Sequence, residues 1–290
     1  MERYGRAVNS PARPVTTLDK SDVLEGLFAA WDDIDTLVGD LDAEQWGAPT
    51  PLPGWSVRDV VAHVIGVESM LSGVATPHAD IDISTLKHVR NDIGVLNERW
   101  VRRLRIIDVD ELVALLRDTI ARRRAALSEM ADERWNEITV TPAGPDTYGR
   151  FMRVRLFDCW MHAQDIRDAL SLEPGRGYLA GPATRLTVDE ITAAMGRVVG
   201  KLGQAPEGAR VAIELTGGVH GTINVAVDGR ARVVDDFGDA GPTATIRMDG
   251  LLFTRLIGGR VALPADALDV VYGGDEVVGR RVVEHLNYVI

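Results

Sequence analysis

His162 stands in the run RLFDCWMHAQDIRDAL, with Asp158 four residues before it and Asp165 three after it. On an α-helix these offsets place all three side chains on one face. Neutral imidazole and carboxylate are ordinary ligands of zinc and related divalent ions, so such a helix offers two ligands to one ion. A third stands in the segment VRDVVAHVIGVE, where His63 is set among Val60, Val61, Val64 and Val67. A histidine in that company needs a partner to offset its desolvation. Three protein ligands leave one coordination position for water or substrate, which separates catalytic from structural sites. Spacing alone leaves two other readings open, a surface Asp–His ion pair and a core histidine bonded to backbone. His78, His88, His220 and His285 fall in polar connections, a Gly-rich hairpin or the last helix, and receive no ligand role. Cys159 is the only cysteine; being rotated by about 100° from Asp158 on a helix, it is expected to pack beside the site rather than act in it.

The elements that must position these residues can be read from hydrophobic spacing. Leu24, Leu27, Phe28, Trp31, Ile34, Leu37, Val38 and Leu41 recur every three or four residues and predict a first helix. Pro49, Pro51 and Pro53 forbid its continuation, and Ser56 is placed to cap a second helix over about 57–71 that carries His63. Asp59, four residues before His63, is positioned to orient its imidazole. The apolar series from Ile93 to Leu127, with a break near Asp108, predicts a third helix that is kinked or split. After the turn TPAGPDTYG, residues 151–170 form a fourth, ended by Glu173-Pro174-Gly175. Four helices with a long connection make a bundle, in which cofactor sites are built from inward-pointing side chains.

The pattern changes in the second half. After one more helix over about 183–202, short β-branched runs at 210–216, 222–227, 230–234 and 243–248 predict an antiparallel sheet, and helical spacing returns at about 250–257, 265–272 and 276–286. The expectation is a two-domain α+β protein, with a helical bundle over 18–175 and a smaller α+β domain over 180–290, the boundary lying near 172–182. The formal charge of −11 opposes binding to nucleic acid or to an anionic membrane surface. The N-terminus has no apolar targeting region and no stretch approaches the roughly 20 apolar residues of a membrane span, so a cytoplasmic location is expected. Only Lys20, Lys87 and Lys201 are lysines among the basic residues, a bias of GC-rich bacterial genomes.

Three stretches, LPGWSVRDVVAHVIGVE, HVRNDIGVLNERWV and RLFDCWMHAQDIRDAL, together resemble the mycothiol-dependent maleylpyruvate isomerase family, and the closing segments ATIRMDGLLFTRLIGGR and GDEVVGRRVVEHLNYVI resemble its second domain. The resemblance implies a DinB-like four-helix bundle followed by a sterol-carrier-like α+β domain, in an actinobacterial cytoplasm. It implies that His63, Asp158 and His162 bind a divalent metal, zinc first, and that mycothiol is the thiol cosubstrate. The family pattern has glutamate at the carboxylate position, where this chain has the shorter Asp158. The implied activity is cis–trans isomerisation of a small conjugated electrophile, or thiol transfer to one. Arg90 and Asn91 in the family-like RND segment are candidates to line the pocket, and Arg90, or Arg247 or Arg255 of the second domain, to meet a substrate carboxylate. A different class of protein, a non-catalytic carrier of a small molecule or lipid, would need no such polar constellation. The sequence does not set the oligomeric state.

Overall fold

The computed structural model describes residues 15–142, 144–261, 264 and 267–288. Among the described residues the first half comprises α1 (Lys20–Val38), α2 (Ala43–Gly47), α3 (Val57–Leu71), a 3-10 turn Ile83–Thr85, α4 (Asp92–Leu104), α5 (Val109–Ser128), α6 (Asp132–Trp135), the hairpin of β1 (Ile138–Thr141) and β2 (Gly144–Thr147), and α7 (Tyr148–Leu170). Polar caps set the long helices in place. The carboxylates of Asp19 and Asp108 and the amide oxygen of Asn91 accept backbone N–H bonds at the starts of α1, α5 and α4, and Thr147 does the same for α7. Helices α1, α3, α5 and α7 pack as a four-membered bundle, with α4 laid on α3. Gly66 permits that approach, since a Cβ there would stand 2.5 Å from the Trp100 side chain.

The expected third helix is therefore two helices, and only α5 belongs to the four-membered bundle. The capping carboxylate of Asp108 starts a new helix where the old one ends at Leu104. The segment read as a turn, 141–149, contains β2 and the end of β1, paired antiparallel from Ile138 opposite Thr147 to Thr141 opposite Gly144.

The second half comprises α8 (Arg176–Leu179), α9 (Pro182–Arg197) continued by a π-helical segment Val198–Leu202, then β3 (Arg210–Thr216), β4 (Gly221–Asp228), β5 (Arg230–Val234), β6 (Ala244–Asp249), α10 (Gly250–Ile257), β7 (Val270–Gly274) and α11 (Glu276–Glu284). The sheet order is β5-β4-β3-β6-β7. Three of its pairings are antiparallel, and β3 with β6 is parallel. Residues 270–272, expected to be helical, belong to β7, because Val270 and Val271 pair with Met248 and Arg247 at the edge of the sheet. Helix α9 joins the halves: it packs on α1 and α7 and also on β4 and β5. One buried apolar cluster consequently runs from Val23 of α1 to Val283 of α11. Among the described residues no helix is long and apolar enough to cross a membrane.

Candidate metal centre

Asp59 does not orient His63, contrary to expectation. Its Oδ2 accepts from Ser56 N and Oγ at the start of α3, at 2.9 and 3.0 Å, and its Oδ1 accepts from Arg105 Nε at 2.8 Å. The cap fixes where α3 begins and hence where His63, on its second turn, faces α7. There the ring of His63 meets that of His162, with centroids 4.7 Å apart and planes at 68°. Trp55, from the Pro-rich loop, closes one side, its ring 5.2 Å from His63 and 6.3 Å from His162. The indole is itself held, because Trp55 Nε1 donates to Glu98 Oε2 at 3.0 Å and His88 Nε2 lies 3.2 Å from the same oxygen.

Asp158 Oδ2 is the point of convergence. His63 Nε2 lies 3.2 Å from it and His162 Nε2 3.6 Å. One ligand atom from each of the three residues falls within 4.8 Å of the others. Ligand atoms placed tetrahedrally at about 2.0–2.1 Å from zinc stand roughly 3.4 Å apart, so this donor set fits a divalent ion with little movement. The shorter carboxylate of aspartate thus reaches both imidazoles. Its side chain keeps 33% exposure while those of His63 and His162 keep 4% and 7%, so the approach to the trio runs past the carboxylate.

Two outer partners hold the trio from opposite ends. Arg155 Nη1 donates to Asp158 Oδ2 at 2.6 Å, and its Nε and Nη2 donate to Glu68 Oε1 at 3.1 and 3.0 Å. Glu68 Oε2 in turn accepts from Arg123 Nε at 2.9 Å. At the other end His162 Nδ1 lies 2.9 Å from Asp165 Oδ2, which with Oδ1 accepts a two-pronged bond from Arg260. An imidazole that donates from Nδ1 to a carboxylate turns the lone pair of Nε2 toward a metal. His63 has no such partner among the described residues, its buried Nδ1 being without a hydrogen bond there, and its orientation rests on the Nε2 contact with Asp158 and on packing against Trp55.

The two histidines are held apart in protonation. Burial lowers the pKa of His63 to about 4, more than the attraction of Asp158 restores. Burial also disfavours charge on His162, but Asp158 and Asp165 outweigh it and raise the pKa to about 8. Burial opposes ionisation of Asp158 as well, yet Arg155, His162 and His63 hold it well below the usual carboxylate range. Burial pushes the Cys159 thiol up to about 12, which favours its protonated form at neutral pH, and its Sγ lies 3.5 Å from Arg155 Nη2.

The other expected residues are not gathered here. Arg90 is exposed, two residues beyond His88. Asn91 spends its side-chain oxygen on Gly94 N at 2.8 Å as the cap of α4. Arg247 is exposed between buried Ile246 and Met248, hence on the sheet face turned away from the helices that cover those two. Arg255 pairs with Asp168. The residues that do surround the trio and were not expected are Glu68, Arg123, Arg155, Trp55 and Arg260. Arg155, three residues before Asp158, had a local signal in its spacing; Arg260, 95 residues from its partner, had none. Two open clefts, of about 610 Å³ beside Trp100 and Leu115 and about 350 Å³ along the Pro-rich loop, are lined by other residues, although Trp55 is common to the second cleft and the wall of the trio.

Comparison with known proteins adds to this geometry. Residues 27–167 match the mycothiol maleylpyruvate isomerase N-terminal domain, and residues 185–280 match the C-terminal domain of the same enzyme. Two uncharacterised proteins from strains of Mycobacterium tuberculosis are each 27% identical over 155 residues, 53% of this chain and 58% of theirs, so the match spans little more than half of those relatives. A crystal structure of the mycothiol-dependent maleylpyruvate isomerase superposes with a TM-score of 0.55 at 14% identity, covering 87% of this chain and 93% of that one. A point mutant of it gives 0.54 over the same extents. At that identity the superposition shows the fold.

Proposed function

Because this chain belongs to the mycothiol-dependent maleylpyruvate isomerase family, we propose that it is a divalent-metal-dependent enzyme using a low-molecular-weight thiol, mycothiol, on a small electrophile. The observation that carries the reading is the convergence of His63 Nε2, His162 Nε2 and Asp158 Oδ2 at one partly open point. Zinc is the ion that two imidazoles and a carboxylate suit best. A bound divalent ion lowers the pKa of a coordinating thiol and so supplies thiolate, the nucleophilic form, near neutral pH.

The chain's own residues do the rest. Asp165 orients His162, Arg155 orients Asp158, and Trp55 shuts water out along one wall. The exposed Arg90, which pairs with no carboxylate among the described residues, is proposed to answer a substrate carboxylate; Asn91 serves the helix cap, and Arg247 lies on the exposed face of β6. In the isomerase reaction the thiolate adds to a conjugated carbon–carbon double bond, rotation follows about the resulting single bond, and elimination re-forms the double bond and releases the thiol. If the adduct is kept instead, the same site is a thiol transferase.

The test is turnover by the zinc-loaded protein, with and without mycothiol, over a panel of electrophiles that includes maleylpyruvate. Turnover that needs both metal and thiol is expected, and a retained adduct identifies the transferase. A purified protein that neither contains nor takes up a divalent ion, and turns over nothing, would overturn the reading and favour a carrier.

A further inference from the structure

Helix α10 ends at Gly258-Gly259-Arg260, and this turn reaches the metal centre from the second domain. The second glycine is set by its backbone angle and the first lies close against α7. A Cβ on Gly258 would stand 2.6 Å from Met161 Cε of α7, and Gly259 has φ +67°, where a side chain is strained. The close approach delivers Arg260 to Asp165, with Nε 3.0 Å from Oδ1 and Nη2 2.8 Å from Oδ2. Its Nη1 donates to Gly258 O at 2.6 Å, so the guanidinium plane is fixed within its own turn. Asp165 is 1% exposed, and the oxygen that takes Arg260 Nη2 is also the one that faces His162 Nδ1.

Resting on the metal reading above, we infer that Arg260 is a positioning residue which, through Asp165, holds His162 with Nδ1–H donating and Nε2 turned to the metal, so that the second domain is part of the centre. A buried carboxylate with a single imidazole partner can rotate about its side chain. A two-pronged bond from a planar guanidinium removes that freedom and specifies the charged form of Asp165. A second ion pair ties α10 to α7 without touching the trio: Arg255 bonds Asp168 through Nε at 3.0 Å and Nη2 at 2.5 Å. It separates the effect of positioning from that of docking the domains.

The experiment compares Arg260→Met, Arg260→Lys and Arg255→Met in the full chain. Zinc affinity is measured by chelator competition, and the His162 Nδ1–H resonance of the metal-free protein is followed by NMR. Arg260→Met is expected to weaken zinc binding by about 10–100-fold, the usual effect of losing an outer-shell partner, and to make the Nδ1–H proton exchange faster. Arg260→Lys should recover part of both. Arg255→Met should lower the melting temperature yet leave zinc affinity and the Nδ1–H signal as in the parent. Unchanged affinity and exchange in a folded Arg260→Met protein would overturn the inference, as would equal losses in Arg255→Met. Should the parent bind no zinc, the functional reading fails, whereas the NMR comparison still decides whether Arg260 holds the imidazole.

Discussion

At the first turns of α7, Arg150 and Arg153 both meet Glu190 of α9, through Nη2 to Oε1 at 2.6 Å and Nε to Oε2 at 2.9 Å. Two turns later the same helix presents Asp158 and His162 to His63. Both clusters are buried and charged, but in the first every close contact joins a donor to an acceptor. In the second, two imidazole nitrogens and a carboxylate oxygen converge on one point, with His63 Nε2 within hydrogen-bond distance of Asp158 Oδ2, and when each neutral ring carries its proton on Nδ1 all three present lone pairs. Buried charge by itself marks neither stability nor function; convergent lone pairs with an open side mark a place for a cation.

That contrast can be broken at either cluster. Glu190→Ala leaves two buried guanidiniums without their shared acceptor, and a loss of about 3–5 kcal/mol is expected in denaturant unfolding, with zinc affinity per folded molecule unchanged. A parallel fall in zinc affinity would show that the clusters are not separate. His63→Ala and His162→Ala should show the reverse, a folded protein whose zinc affinity drops by more than about a hundredfold, beyond the range of an outer-shell partner. Full metal content in either folded variant would remove the trio as the ligand set.

The pH dependence of the metal-free protein sharpens the comparison, because only the second cluster has histidines. His63, lowered from 6.5 to about 4, binds fewer protons folded than unfolded between those values, so its contribution is lost as pH falls from 6.5 toward 4. His162, raised from 6.5 to about 8, binds more when folded, so its contribution is full below 6.5 and lost as pH rises through 8. The two together give a stability maximum near pH 6.5, with an acid flank of roughly 3–4 kcal/mol and a shallower alkaline flank of about 2 kcal/mol at about 1.4 kcal/mol per pKa unit. Unfolding midpoints at a series of pH values check this, and His162→Ala should flatten the alkaline flank alone. The smallest effect is expected at Cys159, which is fully buried against Arg155. Cys159→Ala should cost about 1 kcal/mol and leave thiol-dependent turnover within a few-fold of the parent; a loss of orders of magnitude in a folded, zinc-loaded variant would make the cysteine the nucleophile.

Much of the bundle was legible because its signals are local. The apolar spacing of α1, the prolines before Ser56, and the offsets within α7 each act over a few residues, and the structure places these helices within a few residues of expectation. The strands β3 and β5 likewise begin and end where their β-branched runs do. Local reading failed where distant partners decide. Residues 270–274 form a strand because they pair with the edge of β6, and β2 with the end of β1 hides in a segment whose prolines and glycines suggest only a turn.

The same division runs through the candidate site. Residue types and helical offsets alone determined that Asp158 and His162 share a face and that His63 lies in an apolar helix needing a partner, since a helix repeats every 3.6 residues wherever it sits. Which carboxylate serves which histidine was decided only by tertiary structure. Asp59 has the right offset to reach His63 but is drawn to Ser56 and Arg105, whereas Asp165 takes His162 because Arg260, folded back from another domain, neutralises it there. A buried carboxylate goes where a cation waits for it, and the position of that cation is a property of the whole packed chain rather than of the residues on either side.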